Sequence, residues 1–177
     1  MRSVRRLAVA IAVSATAWSS VAAQDGVPPN AAADSVLGRL LGDWTMIGQV
    51  AGDSVRYTLR VTRTLQGRYV SLHMLEDATP PTYEARVVIG ADTVAPRVIA
   101  HWMDSFGAAY SVPAGYGTAR GDSIQFTIAY SRSTFRDVFS ANADGTWRLA
   151  VDAQTPNGWR SFAEYRIVPV RTVRPDP

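Results

Sequence analysis

Apolar and polar residues alternate with a period of two along most of the chain, a pattern typical of half-buried β-strands. Residues 55–62, 124–130 and 147–151 show it most clearly, since every second residue there is Val, Ile, Leu, Phe, Tyr or Trp. Turn residues separate about ten such segments, and two turns contain the Asp-Gly and Asn-Gly pairs favoured in β-hairpins. Uniformly short connections predict an all-β fold, a closed antiparallel up-and-down barrel, rather than a sandwich with long crossovers.

One helical segment precedes the strands. In residues 35–41, four apolar residues fall on one face at helical spacing, and Asp34 can cap the segment. Gly42 fits just past its C-terminal end, where the backbone commonly adopts a positive φ. The sequence therefore predicts a short N-terminal helix at one end of the barrel, with the first strand beginning at Trp44.

The N-terminal segment has the organisation of a secretory signal peptide. Three arginines precede an apolar run, and the small residues that follow predict cleavage between Ala23 and Gln24. The run is shorter than the ~20 residues that a membrane-spanning helix needs. We expect a secreted or periplasmic protein with a signal at 1–23 and no membrane anchor after cleavage. The remaining chain is predicted to form a flexible leader, a barrel domain and a loose tail, at residues 24–33, 34–170 and 171–177.

Composition refines this picture in two ways. The chain contains no cysteine, so the domain has no disulfide bond and its stability must come from its core. The 18 basic residues exceed the 15 acidic residues, but three arginines lie in the predicted signal, and its removal leaves 15 of each. A neutral domain gives no electrostatic reason to expect nucleic acid as a partner.

The run Gly42-Asp43-Trp44 lies at the junction of the helix and the first strand. It resembles the Gly-x-Trp signature of the calycins, the lipocalin and fatty-acid-binding-protein group. The resemblance implies that Trp44 plugs one end of the barrel and that an arginine of the last strand, here Arg166, packs on it. The strand count and residues 101–107 look closest to uncharacterised bacterial DUF1579-type domains, which are similar in shape to nitrobindin haem-binding domains. Nitrobindin-type ligation uses a histidine near the C-terminal strands, and residues 159–168 contain none, so we predict no haem and no other cofactor.

Residues suited to catalysis or metal binding are few. The two histidines, His73 and His101, lie on separate predicted strands, whereas zinc or iron needs three or four ligands, usually including His or Cys. We predict no metal site. His101 and Asp104 would form an acid–base pair only across a bulge, because residues three apart on a regular strand face opposite sides. No nucleophile motif is present, and Gly115 and Gly117 are interpreted as relieving crowding in a strand rather than binding phosphate.

Aromatic residues are spread over seven predicted strands, at Tyr57, Tyr83, Trp102, Tyr110, Tyr130, Trp147 and Trp159. If they face inward, they either fill the barrel or line a cavity suited to a mostly apolar ligand with one polar group. Ten strands favour the cavity, because larger barrels leave space inside. The predicted ligand-binding set consists of the first six of these aromatic residues together with His73 and His101.

Alternation decides the inward face of some strands and not of others. Phe135, Asp137 and Phe139 share a face, and the two phenylalanines predict that it points inward, which leaves Arg136 outside as a solvated charge. In residues 68–76 and 97–103 both faces carry apolar residues, so the pattern does not predict which face of these two strands points into the barrel.

Three functions remain open from the sequence. The first is a carrier or sensor that binds a small hydrophobic molecule inside the barrel and catalyses nothing. The second is an isomerase or hydrolase that uses a histidine in the cavity as its base. The third is an interaction module with a solid interior and an exposed apolar patch.

Overall fold

Ten antiparallel strands close into a barrel in the computed structural model, which describes residues 31–170. Each strand pairs with its neighbours in sequence, and the first pairs with the last, so the predicted up-and-down barrel is confirmed. The strands are β1 (Gly42–Val50), β2 (Asp53–Thr64), β3 (Tyr69–Glu76), β4 (Glu84–Ala91), β5 (Val98–Asp104), β6 (Ala114–Arg120), β7 (Ser123–Ala129), β8 (Thr134–Ala141), β9 (Trp147–Thr155) and β10 (Gly158–Pro169). The predicted signal peptide and its cleavage site lie outside the described residues.

A single α-helix, α1 (Ala31–Arg39), covers one end of the barrel. It packs against β4, β6 and β7 and buries Val36, Leu37 and Leu40 there. The helix begins at Ala31 rather than Ser35, because the preceding alanines are strong helix formers. Asp34 therefore lies in the first turn, where its charge favours the helix dipole, rather than at the cap. Within residues 31–170, no helix is long and apolar enough to cross a bilayer.

The junction between α1 and β1 matches part of the expectation from the Gly-x-Trp run. Gly42 has a φ of 131°, a conformation that other residues rarely adopt. The indole nitrogen of Trp44 donates a hydrogen bond of 2.8 Å to the Leu40 carbonyl oxygen, and the side chain is buried. Trp44 thus helps to close the helix end of the barrel.

The expected contact between Arg166 and Trp44 is wrong. Trp44 is buried on the inner side, whereas Arg166 pairs with the exposed residue Ile47 on the outer side of the same two strands. The Arg166 guanidinium lies 3.3 Å from the Asp144 carboxylate instead. A different arginine, Arg39 of α1, lies over an indole ring at this end, that of Trp147, at 5.8 Å from the ring centroid.

Alternate residues of each strand fill the barrel interior with apolar side chains. The largest that are fully buried include Met46, Leu59, Leu72, Ile89, Phe126 and Phe139. A side chain at Gly117 would collide with the Gln125 backbone, so the interpretation that this glycine relieves crowding is confirmed. The packed region lies beneath α1. We call the opposite end, where the β1–β2, β3–β4, β5–β6, β7–β8 and β9–β10 connections lie, the distal end.

Two local features change which residues reach the distal end. Residues 108–120 do not form one continuous strand but a 3-10 turn (Ala108–Tyr110), a short loop and then β6, since Pro113 interrupts the segment. In β10, the register with β9 shifts between Ser161 and Ala163, which marks a β-bulge at Phe162. The bulge reverses the alternation of inward and outward residues before and after it.

Candidate distal ligand site

Five aromatic side chains meet on the inner side of the distal end. Four of them, Tyr57, Tyr83, Trp102 and Tyr130, belong to the predicted ligand-binding set, and Tyr165 of β10 joins them. Tyr57 and Tyr165 are buried, and the other three are half-buried and pack against the core. We call these five residues the distal aromatic cluster.

Four of the five side chains, all except Tyr130, contact one another. Tyr57 contacts Tyr83 and Tyr165 edge to face, with ring centroids 5.7 and 5.9 Å apart. The indole nitrogen of Trp102 donates to the Tyr83 hydroxyl at 3.3 Å, and that hydroxyl donates in turn to the Asp104 carboxylate at 3.5 Å. Such arrangements add about 0.5–1.5 kcal/mol per aromatic pair, so these contacts stabilise the positions of Tyr57, Tyr83 and Tyr165.

Two rows of rings connect the cluster to the exposed rim. Phe106 is 69% exposed and stacks at a tilt on Tyr83, with centroids 5.6 Å apart. Phe162, at the bulge, is 40% exposed and contacts Phe135 at 5.2 Å, which in turn contacts Tyr130 at 5.9 Å. The aromatic surface is therefore continuous from solvent to the inner wall.

Asp137 is the most unusual residue at this end. It faces inward from β8, as the alternation of Phe135 and Phe139 predicted, and is paired in register with Phe126 and Val151. Its residue surface is 2% exposed, yet its carboxylate forms no hydrogen bond or ion pair with the described residues. In the described chain, every side-chain oxygen that is wholly inaccessible to water has a hydrogen-bond partner. The two oxygens of Asp137 have none, so each of them must border space that a water molecule can enter.

Burial governs the protonation of this site. Removal from solvent, with a smaller contribution from the nearby negative charge of Asp152, raises the pKa of Asp137 to about 7. Burial also raises the pKa values of Tyr57, Tyr83 and Tyr165, and brings the pKa of Tyr130 to about 12. At neutral pH the phenolic hydroxyls are therefore neutral groups that can donate or accept hydrogen bonds.

Two further carboxylates lie at the mouth of the site. Asp104 faces inward from the end of β5, burial raises its pKa, and it accepts a hydrogen bond of 3.0 Å from the Phe106 backbone nitrogen. Glu76 accepts hydrogen bonds from the Thr82 hydroxyl and backbone nitrogen, which lower its pKa. The ionisable side chains of the inner distal wall are thus largely acidic.

The other four residues of the predicted set lie elsewhere. His73 is on the outer wall, where its Nε2 lies 2.6 Å from the Glu84 carboxylate, and His101 is exposed on the outer wall opposite Val88. Both histidines occupy the odd positions of strands whose even positions face inward. Tyr110 is 61% exposed on the 3-10 turn. Trp147 faces inward, but at the helix end under Arg39.

Arg136 lies on the outer wall, as predicted. Its guanidinium bonds Asp152 at 2.7 Å and lies 4.6 Å from the Trp159 ring centroid.

Two shallow concavities also lie on the outer wall, one of about 260 Å³ beside Glu84 and Ser105 and one of about 560 Å³ beside Tyr69 and Asp92. Neither is lined by the distal aromatic cluster. Among residues 31–170, no three His, Asp or Glu side chains gather as metal ligands.

Sequence reasoning missed Asp137, Asp104 and Tyr165 as site residues. The signal for Asp137 was present, because a carboxylate between two inward phenylalanines must also point inward. Tyr165 alternates with Ala163 and Ile167 in the same way.

The barrel is compatible with a calycin-like fold. Comparison with known proteins adds no family, since no protein-family model matches the chain and no curated protein matches it.

Proposed function

We propose that this protein binds a small, mostly apolar molecule at the distal end of its barrel and acts as a carrier or sensor without catalysis. One observation carries the proposal: five aromatic side chains line the inner side of the same end as a buried carboxylate, Asp137, that has no hydrogen-bond or ion-pair partner in the described chain, and its charge acts on two of them, Tyr130 and Tyr165. Ligand sites combine apolar and aromatic walls with a few placed polar groups, and this end has both.

The arrangement of the rings supports binding rather than simple filling of the barrel. The rows that start at Phe106 and Phe162 expose apolar surface at the rim, which costs free energy in water unless it serves a contact. Buried apolar surface contributes roughly 25 cal/mol per Å², so an apolar molecule gains by covering these rings. Water beside Asp137 would be exchanged for a polar group of the ligand.

The sequence supports two further proposals about context. We propose that the protein is secreted or periplasmic, on the basis of the signal-like segment at 1–23. We also propose kinship with the lipocalin and fatty-acid-binding-protein group, and with DUF1579-type domains within it, on the basis of Gly42-Asp43-Trp44 and residues 101–107.

A histidine-based enzyme has less support than binding. That mechanism requires a histidine inside the barrel, within about 2.6–3.2 Å of the group with which it exchanges a proton. His73 and His101 both lie on the outer wall.

The exposed rim at Phe106 and Phe162 favours an interaction module as the second candidate function, because the same apolar rings can contact another protein.

A binding titration with a site variant tests the proposal. Isothermal titration of the purified protein with a fatty acid, a quinone, haem and 2-phenylethanol should reveal at least one ligand. Replacement Tyr130→Ala should weaken that binding at least tenfold, because it removes a ring of the inner wall. Tyr116→Ala removes an exposed ring of the outer wall and should leave binding unchanged. Equal losses in both variants, or binding that neither variant affects, would argue against the distal site.

A further inference from the structure

The distal site is acidic on its inner side, and among residues 31–170 no arginine forms an ion pair with its carboxylates. Asp137 and Asp104 face inward, and Glu76 lies at the mouth. The arginines of the neighbouring strands point outward, where Arg136 bonds Asp152 and Arg56 bonds Asp77. Arg160 shares the inner side through its pairing with Ala153, but it is exposed at the start of β10 and forms no ion pair with Asp137.

Burial makes this arrangement costly for the unliganded protein. Buried carboxylates in proteins are nearly always hydrogen-bonded or paired, because transfer of an isolated charge out of water is strongly unfavourable. Asp137 has neither kind of partner in the described chain, and both of its oxygens border space that water can enter. A cationic donor in that space would supply the missing partner.

The aromatic faces at this end are likewise unused by protein cations. Three arginines of the described chain lie over aromatic rings, namely those of Trp147, Tyr116 and Trp159. None of these rings belongs to the distal aromatic cluster. Tyrosine and tryptophan faces attract cations, and the attraction is stronger where water is excluded.

We propose that the ligand of the distal site is an organic cation, a protonated amine on an apolar body, which binds the Asp137 carboxylate within the distal aromatic cluster. This inference rests on the proposed binding function and specifies its ligand class. The apolar body contacts the ring rows that lead to Phe106 and Phe162. The ammonium group donates its hydrogen bonds to Asp137, whose charge also acts on the neutral hydroxyls of Tyr130 and Tyr165.

The binding of an amine at this site depends on pH. Asp137 must be ionised to act as the counter-charge, so amine affinity should rise between pH 6 and pH 8. The groups that influence it are Asp152 and Arg136 on the outer wall, Tyr130 and Tyr165 inside, and Asp104 and Arg160 nearer the mouth. An uncharged ligand of the same shape should bind with little pH dependence over this range.

The test compares three ligands of matched shape by isothermal titration at pH 8: phenethylamine, 2-phenylethanol and phenylacetate. We expect the amine to bind at least tenfold more tightly than the alcohol and the carboxylate to bind most weakly. Asp137→Asn should remove the preference for the amine while binding of the alcohol remains. Asp53→Asn makes the same charge change at an exposed distal position and should preserve the preference. Circular dichroism of each variant verifies the fold.

The outcomes separate the two proposals. If the amine and the alcohol bind equally, or if Asp137→Asn leaves the preference intact, the organic-cation inference is wrong and the binding function stands. If none of the three ligands binds and no molecule of the fatty acid, quinone and haem panel binds either, the binding function itself is wrong.

Discussion

Asp137 determines much of the behaviour of this protein at the scale of single residues. Its carboxyl is buried with no hydrogen-bond or ion-pair partner among residues 31–170, and burial raises its pKa from 3.8 to about 7. A carboxyl whose pKa is higher in the folded state holds its proton more tightly there than in the unfolded chain. The free energy of unfolding should therefore fall as pH rises from about 4 to about 7, and this contribution should be constant above that range.

The substitution Asp137→Asn tests this directly. At pH 8 the variant should be more stable than the natural protein by up to about 4 kcal/mol, because the buried charge is absent. At pH 3 the two should be nearly equal, since the carboxyl is protonated in both states. Urea unfolding at several pH values measures the difference. Asp53→Asn, at an exposed position, should show no such trend; a flat difference for Asp137→Asn would refute the account of its burial.

Residue patterns predicted some side-chain directions and left others open, for physical reasons. The inward face of β8 was predictable because two phenylalanines flank Asp137. The outward positions of His73 and His101 were not, because the alternate positions beside them, such as Leu75 and Ile99, are also apolar. Trp159 lies on the outer wall, although it is in the same alternating series as Ala163 and Tyr165, because the bulge at Phe162 reverses the alternation of β10, and a bulge has no reliable signal in a single sequence.

At the scale of elements, the junction between α1 and β1 sets how the helix covers the barrel. Gly42 turns the chain with a φ that side chains oppose, and the Trp44 indole hydrogen-bonds the last turn of the helical region. The sequence predicted the turn at Gly42 and the position of Trp44 at the barrel end, but not the hydrogen bond of its indole. The sequence did not predict where the helix begins. Asp34 suggested a cap and hence a start at Ser35, but the three alanines before Ser35 have high helix propensity and the helix includes them.

A pair of glycine substitutions tests the junction. Gly42→Ala should destabilise the protein by about 1–3 kcal/mol, because alanine is strained at that φ. Gly38→Ala lies within α1, where its methyl group would make only an ordinary contact 3.5 Å from Arg63, and should stabilise the protein by about 0.5–1 kcal/mol. Denaturant unfolding of both variants gives the two values. Similar effects at both positions would contradict the role assigned to Gly42.

At the scale of the whole molecule, the barrel has two unlike ends. Beneath α1 the interior is packed with aliphatic, phenylalanine and tryptophan side chains, whereas the distal end also holds tyrosines and carboxylates. The alternating pattern and short turns predicted closure of the barrel. The polarity difference between its ends was not visible in the sequence, because it depends on which strand ends meet in space.

Native mass spectrometry tests the central claim most directly. The protein would be secreted from cells, purified without detergent, and its native mass compared with its denatured mass. The account predicts a reproducible additional mass that Tyr130→Ala reduces and Tyr116→Ala preserves, with the formula of a small, mostly apolar molecule. Suppose that no preparation shows an additional mass and that the protein binds none of the ligands tested above. This result would contradict a binding role and would favour the exposed rim as a surface for another protein.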